Sequence, residues 1–212
     1  MAEVIAGIRV PDSKLAREAT DLVREHGTPL LVAHSLRVYL FGAIQGRHRG
    51  WSLDHELFYV GAMFHDLGLT AKYRSPDHRF EVDGANAARD FLRAHGNGEG
   101  PAEVVWDAIA LHTTPEIPWH KRPEIALMNG GTAADVIGRG IDEIPVADRD
   151  AILAAYPRVD FACGIVRAFV DGLADRPATA FGTFNADLLE RGLPGYRRPN
   201  FCDLIDANPL GG

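Results

Sequence analysis

Cysteine is scarce in this sequence. Cys163 and Cys202 are the two cysteines among 212 residues, they lie far apart in the chain, and they form no C-x-x-C pair. A chain of this length can bury a hydrophobic core without covalent cross-links. We therefore expect two reduced thiols, packed as small apolar side chains in a cytoplasmic protein, and no structural disulfide.

Clusters of positive charge and long apolar runs are also missing. Acidic residues outnumber Lys and Arg by 29 to 22, which gives a net charge of -7. This balance argues against nucleic-acid and anionic-membrane partners, although a locally positive pocket for a small phosphorylated substrate stays open. No segment reaches the roughly 18 apolar residues of a membrane span, and residues 1–10 lack the apolar centre of a signal peptide. We expect a cytoplasmic enzyme with a small-molecule substrate, and the sequence leaves open whether it forms a homo-oligomer.

Alternating β-branched runs bounded by hairpin turns are absent, so we predict no β-strands. Helix-start signals recur instead, among them Asp12-Ser13, Thr28 followed by Pro29, and Ser52. The signals predict an all-α fold, with helices over residues 13–26, 29–48, 52–64, 82–95, 101–112, 123–138, 148–156, 159–174 and 185–191. The tail from residue 197 is predicted to be irregular, and the absence of an evident linker predicts one domain over residues 1–212.

A His-Asp pair at the end of an apolar helix is the centre of the functional argument. His65 and Asp66 follow Phe64, and Gly68 is placed to end the helix as a C′ glycine. At a helix end, two adjacent side chains can turn towards one point. A histidine and a carboxylate buried there need partners, because an unpaired buried charge is strongly unfavourable. A metal ion is a partner that serves both side chains.

His34 and Asp135 lie on the inward-facing stripes of two other predicted helices. Together with His65 and Asp66 they form a set of two imidazoles and two carboxylates, which suits zinc and also manganese, iron or nickel. Each residue alone has a structural explanation, since a core histidine is usually hydrogen-bonded and Asp135 can cap a neighbouring helix. Spacing alone leaves both explanations open, and the joint occurrence of the four residues points to a metal.

The order of these four residues resembles the HD superfamily of metal-dependent phosphohydrolases and related enzymes. Longer segments are similar to its cyanamide hydratase family. They read HSLRVY from His34, FHDLGLT from Phe64, RFEVDGA from Arg79, LHT from Leu111 and PNFCD from Pro199. The resemblance spans roughly residues 28–205, which we take as the core of the domain. The segment from Arg79 is its most discriminating part, because generic HD phosphohydrolases do not share it.

The resemblance implies a single HD-type helical domain, one zinc ion on His34, His65, Asp66 and Asp135, and hydration of cyanamide or a related small nitrile. This reaction needs a nucleophilic water and a polarised nitrile, and a Lewis-acid metal supplies both. Phe41, Phe64 and Leu69 are candidates for the apolar walls of the pocket.

Two other functions compete with this hypothesis. The first is a mononuclear HD phosphohydrolase that acts on a nucleotide or another small phosphate ester. Leu69 and Thr70 stand where such enzymes often carry Lys or Glu, but Lys72, Arg74 and Arg79 lie nearby. The second is a non-enzymatic module with the HD fold, which the retention of all four metal-binding residues argues against.

The predicted catalytic residues are Asp66, Glu81, His78 and His112. His112 lies on an apolar stripe and is expected to face the interior. Glu81, His78 and Thr113 are candidates for passing protons to the substrate nitrogen, and an Arg79–Glu81 ion pair is an equally plausible structural role. In dinuclear HD enzymes, additional histidines bind a second metal, which makes His78 and His112 candidates. The resemblance implies one metal, with His112 outside the ligand set.

Overall fold

The computed structural model describes residues 3–207 and residue 209, and its helical architecture confirms the all-α prediction. The helices described are α1 Lys14–His26, α2 Pro29–His48, α3 His55–Phe64, α4 Phe80–Ala94, α5 Glu99–Ala110, α6 Pro123–Ile137, α7 Val146–Ala155, α8 Phe161–Leu173, α9 Asn185–Gly192 and α10 Phe201–Asp206. In the described part of the chain, no helix is long and apolar enough to cross a membrane.

The prediction of no strands was wrong at the N-terminus. Strands β1 (Val4–Ile5) and β2 (Ile8–Arg9) form a short antiparallel hairpin, in which Ile5 pairs with Ile8. Ala6 and Gly7 connect them with positive φ angles of 51° and 71°, as a two-residue hairpin turn of this type requires. Strands of two residues are too short to show an alternating pattern, so the sequence carried no signal for them.

Several helix ends follow the predicted capping chemistry. The side chains of Ser13 and Thr28 accept hydrogen bonds from the first turns of α1 and α2. The predicted cap at Ser52 was wrong, because Asp54 accepts from two backbone amides and α3 begins after it. The tail is not wholly irregular either, since Asn200 caps α10 through the amide of Cys202.

Two hydrophobic clusters place the His-Asp pair at the junction between them. The larger cluster joins residues of the N-terminal hairpin and of helices α1 to α7, and it contains Phe58, Phe64 and Leu127. The second cluster packs α8 and α9 against the start of α2 and against Leu69 and Phe80. The two helices α8 and α9 thus cover the end of α3, and we call them the cap. The assignment of one domain to the whole chain stays a prediction.

The two cysteines are free thiols, as expected, but both are exposed rather than packed in the interior. Neither Cys163 on α8 nor Cys202 on α10 belongs to a hydrophobic cluster. The apolar composition of the chain is sufficient without them, so their side chains are not needed for the core.

Gly68 serves a different purpose from the predicted helix stop. Its φ is not positive, and it lies inside a 3₁₀ turn, Leu67–Leu69, that follows α3. A Cβ atom at this position would collide with the carbonyl oxygen of Phe80 and approach the Cβ atom of Asp83 to 2.9 Å. Glycine therefore permits close contact between the turn after Asp66 and the first turn of α4.

We predict that Gly68→Ala lowers the free energy of unfolding by about 1–3 kcal/mol, the usual cost of overpacking a close contact. Gly100→Ala is the matched control, because nothing lies within 4 Å of the added Cβ atom and Gly100 is in the first turn of α5. Chemical denaturation measures both changes. Equal stability of Gly68→Ala and the wild type would contradict the packing role.

Candidate metal centre

His34, His65 and Asp66 meet at one point in the interior. His34 lies on α2, while His65 ends α3 and Asp66 follows it directly. The Nε2 atoms of the two histidines are 3.2 Å apart, and Oδ2 of Asp66 lies 3.4 Å from His34 Nε2 and 3.3 Å from His65 Nε2. All three side chains are buried. Among the described residues, these three form the cluster whose donor atoms lie close enough together to share a metal ion.

Hydrogen bonds on the far side of each ring fix which nitrogen faces the cluster. Nδ1 of His65 lies 2.7 Å from the carbonyl oxygen of Ala62. A carbonyl oxygen only accepts, so this Nδ1 carries the proton and leaves the Nε2 lone pair directed at Asp66. Nδ1 of His34 likewise donates to Oδ2 of Asp135 at 2.6 Å. Both Nε2 atoms are therefore ready to bind a metal.

Asp66 supplies the test of whether this cluster suits a cation. Both of its carboxylate oxygens are buried and have no hydrogen-bond partner. A buried carboxylate facing two imidazole lone pairs is strongly unfavourable unless a positive charge lies between them. The residues therefore fit a divalent metal ion, with two nitrogen ligands and one oxygen ligand.

The ionisation of the three side chains agrees with this reading. Burial opposes a charge on Asp66, but the neighbouring His65 outweighs it, and the pKa of Asp66 falls below its usual value. Burial also opposes a charge on His65, yet the Asp66 carboxylate outweighs it and raises the pKa of His65. Burial lowers the pKa of His34. The site thus favours a single positive charge beside Asp66, which a metal ion supplies without a proton.

Asp135 occupies the opposite side of the His34 ring. Its Oδ2 accepts from His34 Nδ1 and from Arg37 Nη2 at 2.9 Å. Its Oδ1 accepts from Arg37 Nε at 2.8 Å and from Arg158 Nη1 at 2.6 Å. Arg37 is thus an ion-pair partner of Asp135 next to His34. It places Asp135 where it orients the His34 ring, and ligation of the metal by Asp135 itself stays a prediction.

His112 is the next buried histidine at the cluster. Its Nδ1 lies 2.6 Å from the carbonyl oxygen of Ile109, which fixes the proton there. Its Nε2 lies 3.8 Å from Oδ1 of Asp66, and its ring is 5.0 Å from that of His65. Burial, followed by the charge of His65, lowers the pKa of His112 to about 4. His112 is therefore a neutral base that faces Asp66 but lies outside the group of three.

Glu81 forms hydrogen bonds with two neighbouring side chains, Arg79 and Thr113. It is fully buried on α4, and its Oε1 accepts from Arg79 Nη2 and Thr113 Oγ1, both at 2.6 Å. Asn185 of the cap adds a longer contact of 3.5 Å to the same oxygen. Burial opposes its ionisation, but the Arg79 guanidinium outweighs this and lowers the pKa of Glu81. The Arg79–Glu81 pair and the Glu81–Thr113 hydrogen bond thus exist together.

The structure does not bring His78 to this site. Its side chain is 53% exposed, and its Nδ1 lies 3.6 Å from Oδ1 of Asp83. The buried guanidinium of Arg176 holds the carbonyl oxygen of His78 and also contacts Asp83. His78 therefore belongs to the surface of the loop before α4.

A cavity of about 210 Å³ opens onto the cluster. Its inner end contains His34, Asp66, His112 and Thr113. Phe41, Phe64 and Leu69 are not among its lining residues, so the predicted walls were wrong, and the cap helices supply Ile165, Phe169 and Leu188 in their place. Sequence reasoning missed these residues because they lie about a hundred positions after the His-Asp pair.

Asn129 and Thr132 on α6 also went unnoticed in the sequence. Asn129 donates to the carbonyl oxygens of His112 and Thr114, and so fixes the segment that carries Thr113. Thr132 lines the cavity, and its Oγ1 is buried without a hydrogen-bond partner. Their positions on the helix that also carries Asp135 were the available signal.

Comparison with known proteins agrees with the geometry. Residues 31–153 match the HD domain family, a range that includes His34, His65, Asp66 and Asp135. The chain belongs to the HD domain family. It is also 30% identical to the cyanamide hydratases DDI2 and DDI3 of Saccharomyces cerevisiae, over 70% of this chain and 68% of each relative. The HD match ends before the cap.

We predict that the purified HD protein contains about one equivalent of a divalent metal per chain, as expected for one such ligand cluster. His65→Ala and Asp66→Ala remove ligand atoms and should abolish stoichiometric binding. Asp135→Asn should weaken metal affinity about 10–100-fold, the usual effect of losing a group that orients a ligand. Elemental analysis and titration with a competing chelator measure these effects.

Each outcome of that experiment has a clear meaning. Retention of stoichiometric metal by both Ala variants would overturn the metal assignment. Complete loss of metal from Asp135→Asn would show that Asp135 binds the ion directly. Two equivalents per wild-type chain, with one lost in His112→Ala, would establish a dinuclear centre.

Proposed function

We propose that this HD-domain protein is a zinc-dependent hydratase that adds water to cyanamide or a related small nitrile. The observation that carries the proposal is the combination of an acceptor-only metal cluster with a small, largely apolar cavity. Manganese, iron and nickel suit the same ligands. The similarity to the yeast cyanamide hydratases supports the choice of substrate.

The charge of the cavity supports a neutral substrate. Among the described residues that line the cavity, Arg139 is the one Lys or Arg side chain, and it is exposed at the rim. Arg74 pairs with Asp175, and Arg79 pairs with the buried Glu81. A phosphate ester would need a cationic surface near the metal cluster. These pairings leave the inner end of the cavity better suited to an uncharged nitrile than to a phosphate.

The reaction adds one water across a carbon–nitrogen bond. The water oxygen bonds to the nitrile carbon, one C–N π bond breaks, and a proton passes to the nitrogen to give isourea. Transfer of the hydroxyl proton to the nitrogen then gives urea. A divalent metal bound at the cluster supplies Lewis acidity, which lowers the pKa of water and polarises the nitrile.

The side chains around the cluster are placed for the proton transfers. His112 presents an unprotonated Nε2 towards Asp66, so it can accept a proton from the attacking water and return it to nitrogen. The Thr113 hydroxyl donates to Glu81 and accepts from Arg79 Nη2 at 3.3 Å, which leaves one lone pair of Thr113 for a substrate. Thr113 then holds the amino group of cyanamide, and Glu81 fixes the orientation of Thr113. The apolar walls exclude competing water.

A nucleotide phosphohydrolase is the alternative function, since it uses the same family of metal sites. A membrane or nucleic-acid partner is not part of either proposal, and a cytoplasmic location stays a prediction.

Urea formation from cyanamide is the direct test. We expect metal-replete wild-type protein to produce urea and Asp66→Ala to produce none above the background, because the cluster loses its oxygen ligand. His112→Gln, which keeps a polar group but is not a base, should lower kcat by about 10²–10⁴, the usual contribution of general acid–base catalysis. Metal content is measured in parallel.

The competing function is tested with the same preparations. Cleavage of a nucleoside monophosphate at a useful rate, without urea formation from cyanamide, would replace the hydratase by the phosphohydrolase. Equal urea production by wild type and His112→Gln at equal metal content would remove His112 from the mechanism.

A second prediction concerns Glu81. If Glu81 acts by orienting Thr113, then Glu81→Gln and Thr113→Val each lower kcat/KM for cyanamide by about tenfold, the value of one hydrogen bond to a charged group. The double variant should be no worse than Thr113→Val alone, because both changes remove the same interaction. Additive losses would show that Glu81 has a separate role. Circular dichroism confirms that the variants are folded.

A further inference from the structure

The cavity is larger than cyanamide needs. Its volume is about 210 Å³, which corresponds to about seven times the ~30 Å³ share of one liquid water. Cyanamide consists of one carbon and two nitrogen atoms besides hydrogen. When its nitrile lies at the cluster, more than half of the cavity is left for another part of a substrate.

The remaining space has apolar walls. Apart from the exposed Arg139 at the rim, its polar groups gather at the inner end, where the metal cluster, Thr113, Asn129 and Thr132 lie. The outer part is lined by Val136, Ile137, Phe184 and Leu188. Ile137 and Phe184 remain 65% and 43% exposed there, although apolar side chains at a cavity mouth gain little stability for the fold itself. Such a mouth is typical of a surface that contacts a ligand.

The need to exclude water from the metal cluster does not explain why these outer residues are apolar. The walls next to the cluster, including Ile165 and Phe169, are already buried and exclude water. Ile137 and Phe184 are partly exposed and lie at the solvent end of the cavity, whereas the cluster is buried. Phe184 and Leu188 belong to the region of the cap, outside the residues that match the HD domain. The family match therefore covers the metal cluster and Ile137 but not Phe184 and Leu188.

We propose that the substrate is a small cyano compound that carries an apolar substituent, with its nitrile at the cluster and its substituent along the outer walls. This inference rests on the proposed hydratase function. For an alkylcyanamide, R–NH–C≡N, the water oxygen bonds to the nitrile carbon, one C–N π bond breaks, and both water hydrogens reach the terminal nitrogen. The product is the substituted urea R–NH–CO–NH₂, and no further reactant is needed.

N-butylcyanamide is the probe, since its chain is long enough to extend from the cluster towards Ile137. We expect its kcat/KM in the wild type to exceed that of cyanamide by about tenfold or more, within the range that a hydrophobic pocket achieves. Ile137→Asp places a carboxylate at the mouth and should lower the ratio of the two kcat/KM values by about tenfold. Ile137→Leu should keep the wild-type ratio.

Val146→Asp is the matched control. Val146 is 61% exposed on α7, close to the exposure of Ile137, and it does not line this cavity. It should leave both kcat/KM values unchanged. Binding gives a readout that does not depend on turnover, because N-butylurea should raise the Tm of the wild type and of Val146→Asp more than urea does. Ile137→Asp should lose this difference.

The outcomes separate the inference from the function on which it rests. Hydration of cyanamide with no advantage for N-butylcyanamide, and no preferential stabilisation by N-butylurea, would overturn the inference and leave the hydratase function intact. An equal fall of the ratio in Val146→Asp would also overturn it. Hydration of neither compound by metal-loaded protein would overturn the proposed function and the inference together.

Discussion

The burial of the Asp66 carboxylate without a hydrogen-bond donor is the constraint around which this structure is organised. Water solvates an exposed carboxylate, but Asp66 is 3% exposed and neither of its oxygens has a hydrogen-bond partner. In their neutral form the surrounding histidines do not donate to it, because carbonyl groups and Asp135 hold their single protons on the opposite nitrogens. A site built from acceptors alone gains its stability from a bound cation, so metal binding and local folding are coupled.

The charges behind the cluster hold His34 in place. Asp135 is buried together with Arg37, and Arg158 approaches the same carboxylate from the loop before α8. Burial opposes the ionisation of Asp135, but its hydrogen bonds with His34 and Arg37 outweigh burial and lower its pKa. The guanidinium groups of Arg37 and Arg158 balance the negative charge of Asp135, so Asp135 stays ionised and accepts the hydrogen bond from His34 Nδ1. The Nε2 lone pair then faces the cluster permanently.

The cap lines the cavity that opens onto the candidate metal cluster. Arg176, which follows α8, is buried and donates to the carbonyl oxygens of Gly68 and Gly172 while it contacts Asp83. It thereby fastens the cap to the turn that follows Asp66 and to the start of α4. Asn185 adds a contact to Glu81 from α9. The same segment that lines the cavity is thus tied to Glu81 and to the turn that follows Asp66.

The sequence by itself determined the helices with strong caps, the all-α class and the group His34, His65 and Asp66. Those features depend on local chemistry, because Thr28 caps the helix that Pro29 begins, and a His-Asp pair buried at the end of an apolar helix needs partners. The short hairpin at Ala6-Gly7 had no comparable local signal, and Ser52 and Asp54 are both N-cap residue types, so the sequence did not choose between them at the start of α3. Only the tertiary structure showed that a side chain at position 68 would collide with the Phe80 carbonyl oxygen. It also showed that Asp135 contacts His34 at Nδ1, on the side of the ring opposite to the cluster. It also decided that the cavity walls come from α8 and α9, because such contacts depend on how distant segments pack and leave no pattern along the chain.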